Sequence, residues 1–166
     1  MSEELDQLED WIAGLLTNIG PAGRLKLARL VAQDLRRQNV TRIAAQRNPD
    51  GAVFAPRKRQ GSGKGLRSKA GRIKARVAQR AAGPMFRKLR QARYFQTSAS
   101  AEEASAGFPA GAISRIARVH QEGMLDRVTR AKDSKVVAYP ARVLLGFTDT
   151  DRRALLDRVL AHLGDG

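Results

Sequence analysis

The sequence has no cysteine, which excludes disulfides, cysteine-ligated zinc, iron–sulfur clusters and thiol catalysis. Its two histidines, His120 and His162, are too few for a histidine-rich metal cage. No run of about 18 apolar residues occurs, so no membrane-spanning helix is expected. Aromatic residues make up 5% of the chain, against 42% hydrophobic residues in all, so an aliphatic core is expected. The first residues, Met1, Ser2, Glu3 and Glu4, are acidic and lead into no signal-peptide apolar region, which makes a cytoplasm the default compartment.

Acidic residues are nearly missing from the middle of the chain. Residues 1–20 hold five acids (Glu3, Glu4, Asp6, Glu9, Asp10) and no base. Residues 21–98 hold 21 bases against two acids, Asp34 and Asp50. Residues 99–166 are balanced, with ten bases and nine acids. The net charge of +15 therefore belongs to the middle, and 23 of the 31 bases are arginine. Arginine suits bidentate contact with phosphate or carboxylate.

What is present reads as an α+β chain of 166 residues forming one domain. Leu5, Leu8, Ile12, Leu15, Leu16 and Ile19 recur at helical spacing over 3–18. Gly20-Pro21 ends that helix, and Pro21 opens a second over 21–46, with Leu25, Ala28, Val31, Ala32, Leu35 and Ile43 on one face. These two form an expected N-terminal helical hairpin over 1–47. Asn48-Pro49-Asp50-Gly51 is a turn signal, followed by a short extended piece at Phe54-Ala55-Pro56. Residues 57–76 are almost wholly base, glycine and small polar: Arg57, Lys58, Arg59, Lys64, Arg67, Lys69, Arg72, Lys74 and Arg76. So few apolar residues predict a flexible basic arm ordered by an anionic partner.

An α+β part is expected over 84–163. Helical spacing resumes over 70–93 through Ile73, Val77, Met85, Phe86 and Leu89, interrupted at Gly83-Pro84. Two short strands over 92–99 and 102–109 would make a small antiparallel pair. A helix follows over 111–121, then a strand from Val136 to Leu145 broken by Tyr139-Pro140. The final helix, 149–163, carries Leu155, Leu156, Val159, Leu160 and Leu163, with Thr148 and Asp151 as its capping pair.

No enzyme motif stands up. Gly61-Ser62-Gly63-Lys64-Gly65 lacks the first glycine and the Ser or Thr of a phosphate loop. His120 with Asp126 or Glu122 has no serine in a nucleophile-elbow context, and a capping or buried histidine explains it better. Asp149, Asp151 and Asp157 suggest a metal cluster, but Asp149 and Asp151 more simply serve the helix N-terminus, and Asp157 lies outside the apolar stripe. Trp11 is either a core edge or a protein-contact anchor. Asn39-Val40-Thr41 matches a glycosylation sequon, to no consequence here. No catalytic residue, cofactor or metal is expected. The basic middle points to nucleic-acid phosphates or to acidic protein surfaces, and the standard nucleic-acid-reading motifs are absent.

Three stretches share an order and spacing: Arg42-Ile43…Asn48-Pro49-Asp50-Gly51-Ala52…Ala55-Pro56-Arg57-Lys58, then Ile116-Ala117-Arg118-Val119-His120-Gln121-Glu122-Gly123, then Tyr139-Pro140-Ala141-Arg142-Val143-Leu144-Leu145-Gly146-Phe147 with Asp151 beyond. Gly83-Pro84-Met85-Phe86-Arg87-Lys88-Leu89 lies between the first two. The ordered set, over about residues 20–163, resembles the virion morphogenesis family of tailed bacteriophages, which comprises the tail completion proteins of contractile-tailed temperate phages. Glu122 departs from the family pattern, which favours an aromatic or small apolar residue there, and Val143 stands where a second proline is common.

The resemblance implies a structural, non-enzymatic protein of the virion tail or neck, assembled in the bacterial cytoplasm. It would complete the tail at its head-proximal end for head–tail joining, as a homo-oligomeric ring. Implied partners are further copies of itself, tail tube or terminator and head connector proteins, and packaged DNA in non-specific contact, with no membrane. Pro49, Asp50, Gly51, His120, Gln121, Gly123, Tyr139, Pro140 and Arg142 are then fold or interface elements, with Arg142 expected in an ion pair within or across subunits. The alternative from composition alone is a cytoplasmic, sequence-nonspecific nucleic-acid-binding protein.

Overall fold

Acids in the first turn and helical apolar spacing start the chain as a helix, and a computed structural model carries it from Ser2 to Ile19 (α1). The structure describes residues 2–57, 83–129, 131 and 133–164. Lys58 to Arg76 of the expected basic arm, and the helical spacing through Ile73 and Val77, lie outside the described residues. Gly20 and Pro21 break the chain, and α2 runs Pro21–Ala44 with Pro21 in its first turn. A Cβ at Gly23 would sit 2.2 Å from the Asn18 carbonyl oxygen, so a glycine is needed for α1 and α2 to meet this closely.

After α2 the chain reverses through the expected 48–51 turn, where Gly51 takes φ +86° and an isolated antiparallel bridge joins Arg47 to Val53. Residues 83–95 are a succession of turns rather than the expected helix. The reason is a backbone reversal together with a partner distant in sequence. Phe86 adopts φ +63°, and the Gln46 side chain takes both backbone groups of Met85, accepting from its N–H at 2.7 Å and donating to its carbonyl at 3.1 Å. Those groups are then lost to a helical ladder.

The β region is two separate hairpins. Strands β1 (Gln96–Ala99) and β2 (Ala104–Gly107) pair antiparallel, Gln96 opposite Gly107. Helix α3 (Ala112–Glu122) follows and ends on Gly123 in the left-handed conformation, φ +69°. Strand β3 (Leu125–Arg127), unforeseen in the sequence, pairs with β4 (Val136–Ala138). The strand expected to continue to Leu145 stops at Ala138, because Pro140 has no N–H and the next backbone groups are taken by side chains. Helix α4 (Asp149–Gly164) closes the chain. Its capping pair is reciprocal: Thr148 N–H donates to Asp151 at 2.9 Å, and Asp151 N–H to the Thr148 hydroxyl at 3.0 Å.

The buried cluster is Ile43, Phe54, Met85, Leu89, Phe95, Ala117 and Leu144. Phe86 and Phe108 pack against it. The core is thus mainly aliphatic, with Phe54 and Phe95 as its buried aromatic members, while Trp11 and Phe147 are exposed. The helix stripes are corrected. Ile12, Leu16 and Ile19 of α1, and Leu156 and Leu160 of α4, are exposed. What joins the ends of the chain is largely polar. Buried Asp34 of α2 holds Arg158 of α4 at 3.0 Å and Arg37 at 2.7 Å, and buried His162 of α4 meets the Asn18 carbonyl of α1 at 3.2 Å.

Candidate functional site

Residues 139–148, between β4 and α4, have no strand partner, so their backbone groups need other partners. Side chains from three earlier elements supply them. Gln121, at the end of α3, accepts from the N–H groups of Leu144 (2.7 Å) and Leu145 (3.0 Å) and donates to the Leu145 carbonyl at 3.0 Å. Asn48 accepts from Val143 N–H at 2.8 Å. Asn39 of α2 accepts from Gly146 N–H at 3.2 Å.

Two buried arginines lock this segment. Arg42 donates to the Gly146 carbonyl at 2.9 Å, to Asp151 at 3.0 Å and to Asn39. Burial lowers its pKa, and the Asp151 carboxylate counters that shift. Arg142, 3% exposed, works from the segment itself. Its Nε donates to the Ala55 carbonyl at 2.7 Å and one Nη to the Pro56 carbonyl at 3.1 Å. Its other Nη meets His120 Nδ1 at 2.9 Å, and its N–H donates to the His120 carbonyl at 2.6 Å. A guanidinium only donates, so neutral His120 accepts at Nδ1 and carries its proton on Nε2.

His120 is also wedged between rings, edge-on to Phe86 (4.9 Å between centroids) and to Tyr139 (5.1 Å). Burial, with the charges of Arg142 and Arg57 adding to it, pushes the imidazole down to about 4. The base role weighed for His120 is therefore not assembled. Asp126 is held by Arg115, which lowers its pKa, and Glu122 by Arg118 at 3.3 Å. Of the ion pair expected for Arg142 within or across subunits, none forms within the subunit among the described residues: its partners there are carbonyls and an imidazole, and the buried ion-paired arginine is Arg42.

The motif residues meet here. Gly123 turns the chain against Ala141, whose N–H nitrogen would lie 3.0 Å from a Cβ at that glycine. Tyr139 N–H donates to the Met124 carbonyl at 3.1 Å, and Pro140 follows as the chain leaves β4. In the turn, Asp50 accepts from Ala52 N–H at 2.9 Å, and Pro49 lies against Gly146, its Cγ 2.7 Å from where a Cβ would stand. Arg57 is exposed at the start of the basic run, near enough to His120 and Arg142 to depress both. Lys58, Arg59, Lys64, Arg67, Lys69, Arg72, Lys74 and Arg76 lie outside the described residues.

Sequence reasoning missed Asn39, Arg42 and Gln46 as fasteners. Asn39 is not a bystander sequon residue: it is buried, donating to the Leu35 carbonyl at 2.7 Å as well. The available signal was polar residues at 39 and 42 on the same face as Leu35 and Ile43. Asp149 pairs with Arg152 at 3.3 Å, and Asp151 serves Thr148 and Arg42. Among the described residues no cluster of three or more His, Asp or Glu is arranged for a metal ion, and no helix is long and apolar enough to cross a membrane.

The site is thus a fastening of backbone by buried polar side chains at the root of the basic run. Comparison with known proteins gives that arrangement its context. Tail completion protein S of Escherichia phage P2 is 39% identical over 160 residues, covering 96% of this chain and 97% of the relative. No solved structure matches the chain. Residues 3–164, which include every fastener named above, match the phage virion morphogenesis family, and the chain belongs to that family.

Proposed function

We propose that the chain is a structural, non-enzymatic protein of the phage tail, which it completes at its head-proximal end for head–tail joining. The observation that carries this reading is the near end-to-end similarity to a tail completion protein. The fastened geometry supports it, since the motif residues Arg142, His120 and Gln121 are engaged in holding backbone or one another. In this reading the protein forms a homo-oligomeric ring. It meets the tail tube or terminator on one side and head connector proteins on the other. The arginines and lysines from Arg57 to Arg76 face an anionic partner, either neighbouring subunits or packaged DNA.

A phage lacking the gene should yield separate filled heads and unjoined tails in electron micrographs, with joining restored by the protein supplied in trans. Joined, infectious particles from the deletion would refute the reading. The alternative, sequence-nonspecific nucleic-acid binding as the function itself, is favoured by the 21 bases in residues 21–98. It requires salt-sensitive DNA or RNA binding by the free protein and normal joining in the deletion.

A further inference from the structure

We propose that the outward face of α1 docks onto a second copy of this chain, which receives it at the basic-rimmed cleft beside α2. The inference rests on the self-association in the reading above and says which surfaces meet.

Two observations mark α1 as a contact surface. Trp11 (52% exposed), Ile12, Leu16 (60%) and Ile19 all face solvent, although α1 packs on α2 and α4. Surface helices normally turn such a stripe inward, and an exposed cluster of large apolar groups marks an interaction site. The same helix carries the chain's concentrated negative charge, with five acids and no base in residues 1–20. Glu9 and Asp10 stand exposed beside Trp11.

The charge selects the occupant. Copies of a chain of net charge +15 repel one another unless their contact places opposite signs together. Docking α1 on α1 would oppose acid with acid, so a two-fold contact through α1 is disfavoured. Docking α1 on a basic part of the next copy compensates on both sides, and such a contact is head-to-tail.

A receiving surface of the right kind is present. An open cleft of about 400 Å³ is lined by Gln33, Arg36, Ala92, Phe95, Gln96 and Thr97. The Arg36 Nε is held by the Phe95 carbonyl at 2.8 Å, which places the guanidinium at the cleft. Exposed Arg29 lies one turn before Gln33 on the same helix face, and exposed Arg93 adjoins Ala92. The cleft accepts an indole, and its arginines meet Glu9 and Asp10. Tryptophan and arginine are the residues most often found at the energetic centre of such contacts.

The test is the oligomeric state of the full chain by sedimentation velocity and native mass spectrometry, with helicity checked by circular dichroism. The wild type should associate. Trp11→Ala with Leu16→Ala should weaken association at least tenfold, as should Glu9→Arg with Asp10→Arg, and separately Arg29→Glu. Mixing the last two proteins should restore assembly, because every contact then joins opposite charges. Wild-type association with unaffected α1 variants, or a mixture that fails to recover, overturns the docking while leaving the ring reading intact. A wild type that stays monomeric at all concentrations overturns both.

Discussion

His120 shows how much one side chain's surroundings decide. Between two aromatic rings and facing the Arg142 guanidinium, it is kept neutral, with a pKa of about 4 against an ordinary 6.5. Between those values the unfolded chain takes up a proton that the folded chain refuses. The contribution is therefore complete above pH 6.5 and is lost as pH falls toward 4. Because the ring is only partly buried, solvent screening reduces the effect at pH 5 to about 1 kcal/mol. Urea unfolding at pH 7.5 and pH 5 should show that loss in the wild type. His120→Gln, which keeps an acceptor for Arg142, should remove about that much of the pH dependence. An unchanged pH dependence in the variant would mean that carboxylates elsewhere account for all of it.

At the level of elements, the segment over 139–148 is the informative one. It is held by side chains reaching from α2, the 48–51 turn and α3 rather than by a ladder of its own. Gly146 lies against Pro49, where any Cβ must displace the proline ring. Gly146→Ala should destabilise the fold by roughly 1–3 kcal/mol, as overpacked sites do. Chemical denaturation reads this directly, and a neutral result would show that Pro49 yields freely. The elements with strong local signals were legible in the sequence: α1, α2, the 48–51 turn, α3 and the capped α4. What was not legible depends on distant partners. Residues 83–95 have helical apolar spacing, but Gln46 takes the backbone groups of Met85. Strand β3 is three residues long and exists through its pairing with β4. The motif residues His120, Gln121, Gly123 and Arg142 could be picked out, but their partners Ala55, Leu144 and Ala141 could not, because 20 to 87 residues separate most such pairs.

For the whole molecule, charge is the governing quantity. A net +15 on 166 residues sets the folded chain against itself, since compact packing brings like charges together. Raising salt from 20 to 300 mM shortens the range of that repulsion from about 20 Å to about 6 Å. The melting temperature of the isolated subunit should rise by a few degrees over that range. A fall would show that its ion pairs, such as Asp34 with Arg37 and Arg158, outweigh the general repulsion.

The Arg142 side chain grips carbonyls 87 and 86 residues earlier in the chain. That separation has a meaning in time as well as in space. A ribosome adding about 5–20 residues per second produces Ala55 and Pro56 several seconds before it produces the arginine that will hold them. Throughout that interval the positively charged run begins from an unanchored base, in a cell crowded with RNA. The hold on Ala55 and Pro56 cannot form before Arg142 is made, so the root of the basic run is fixed only after the whole of that run has been synthesised.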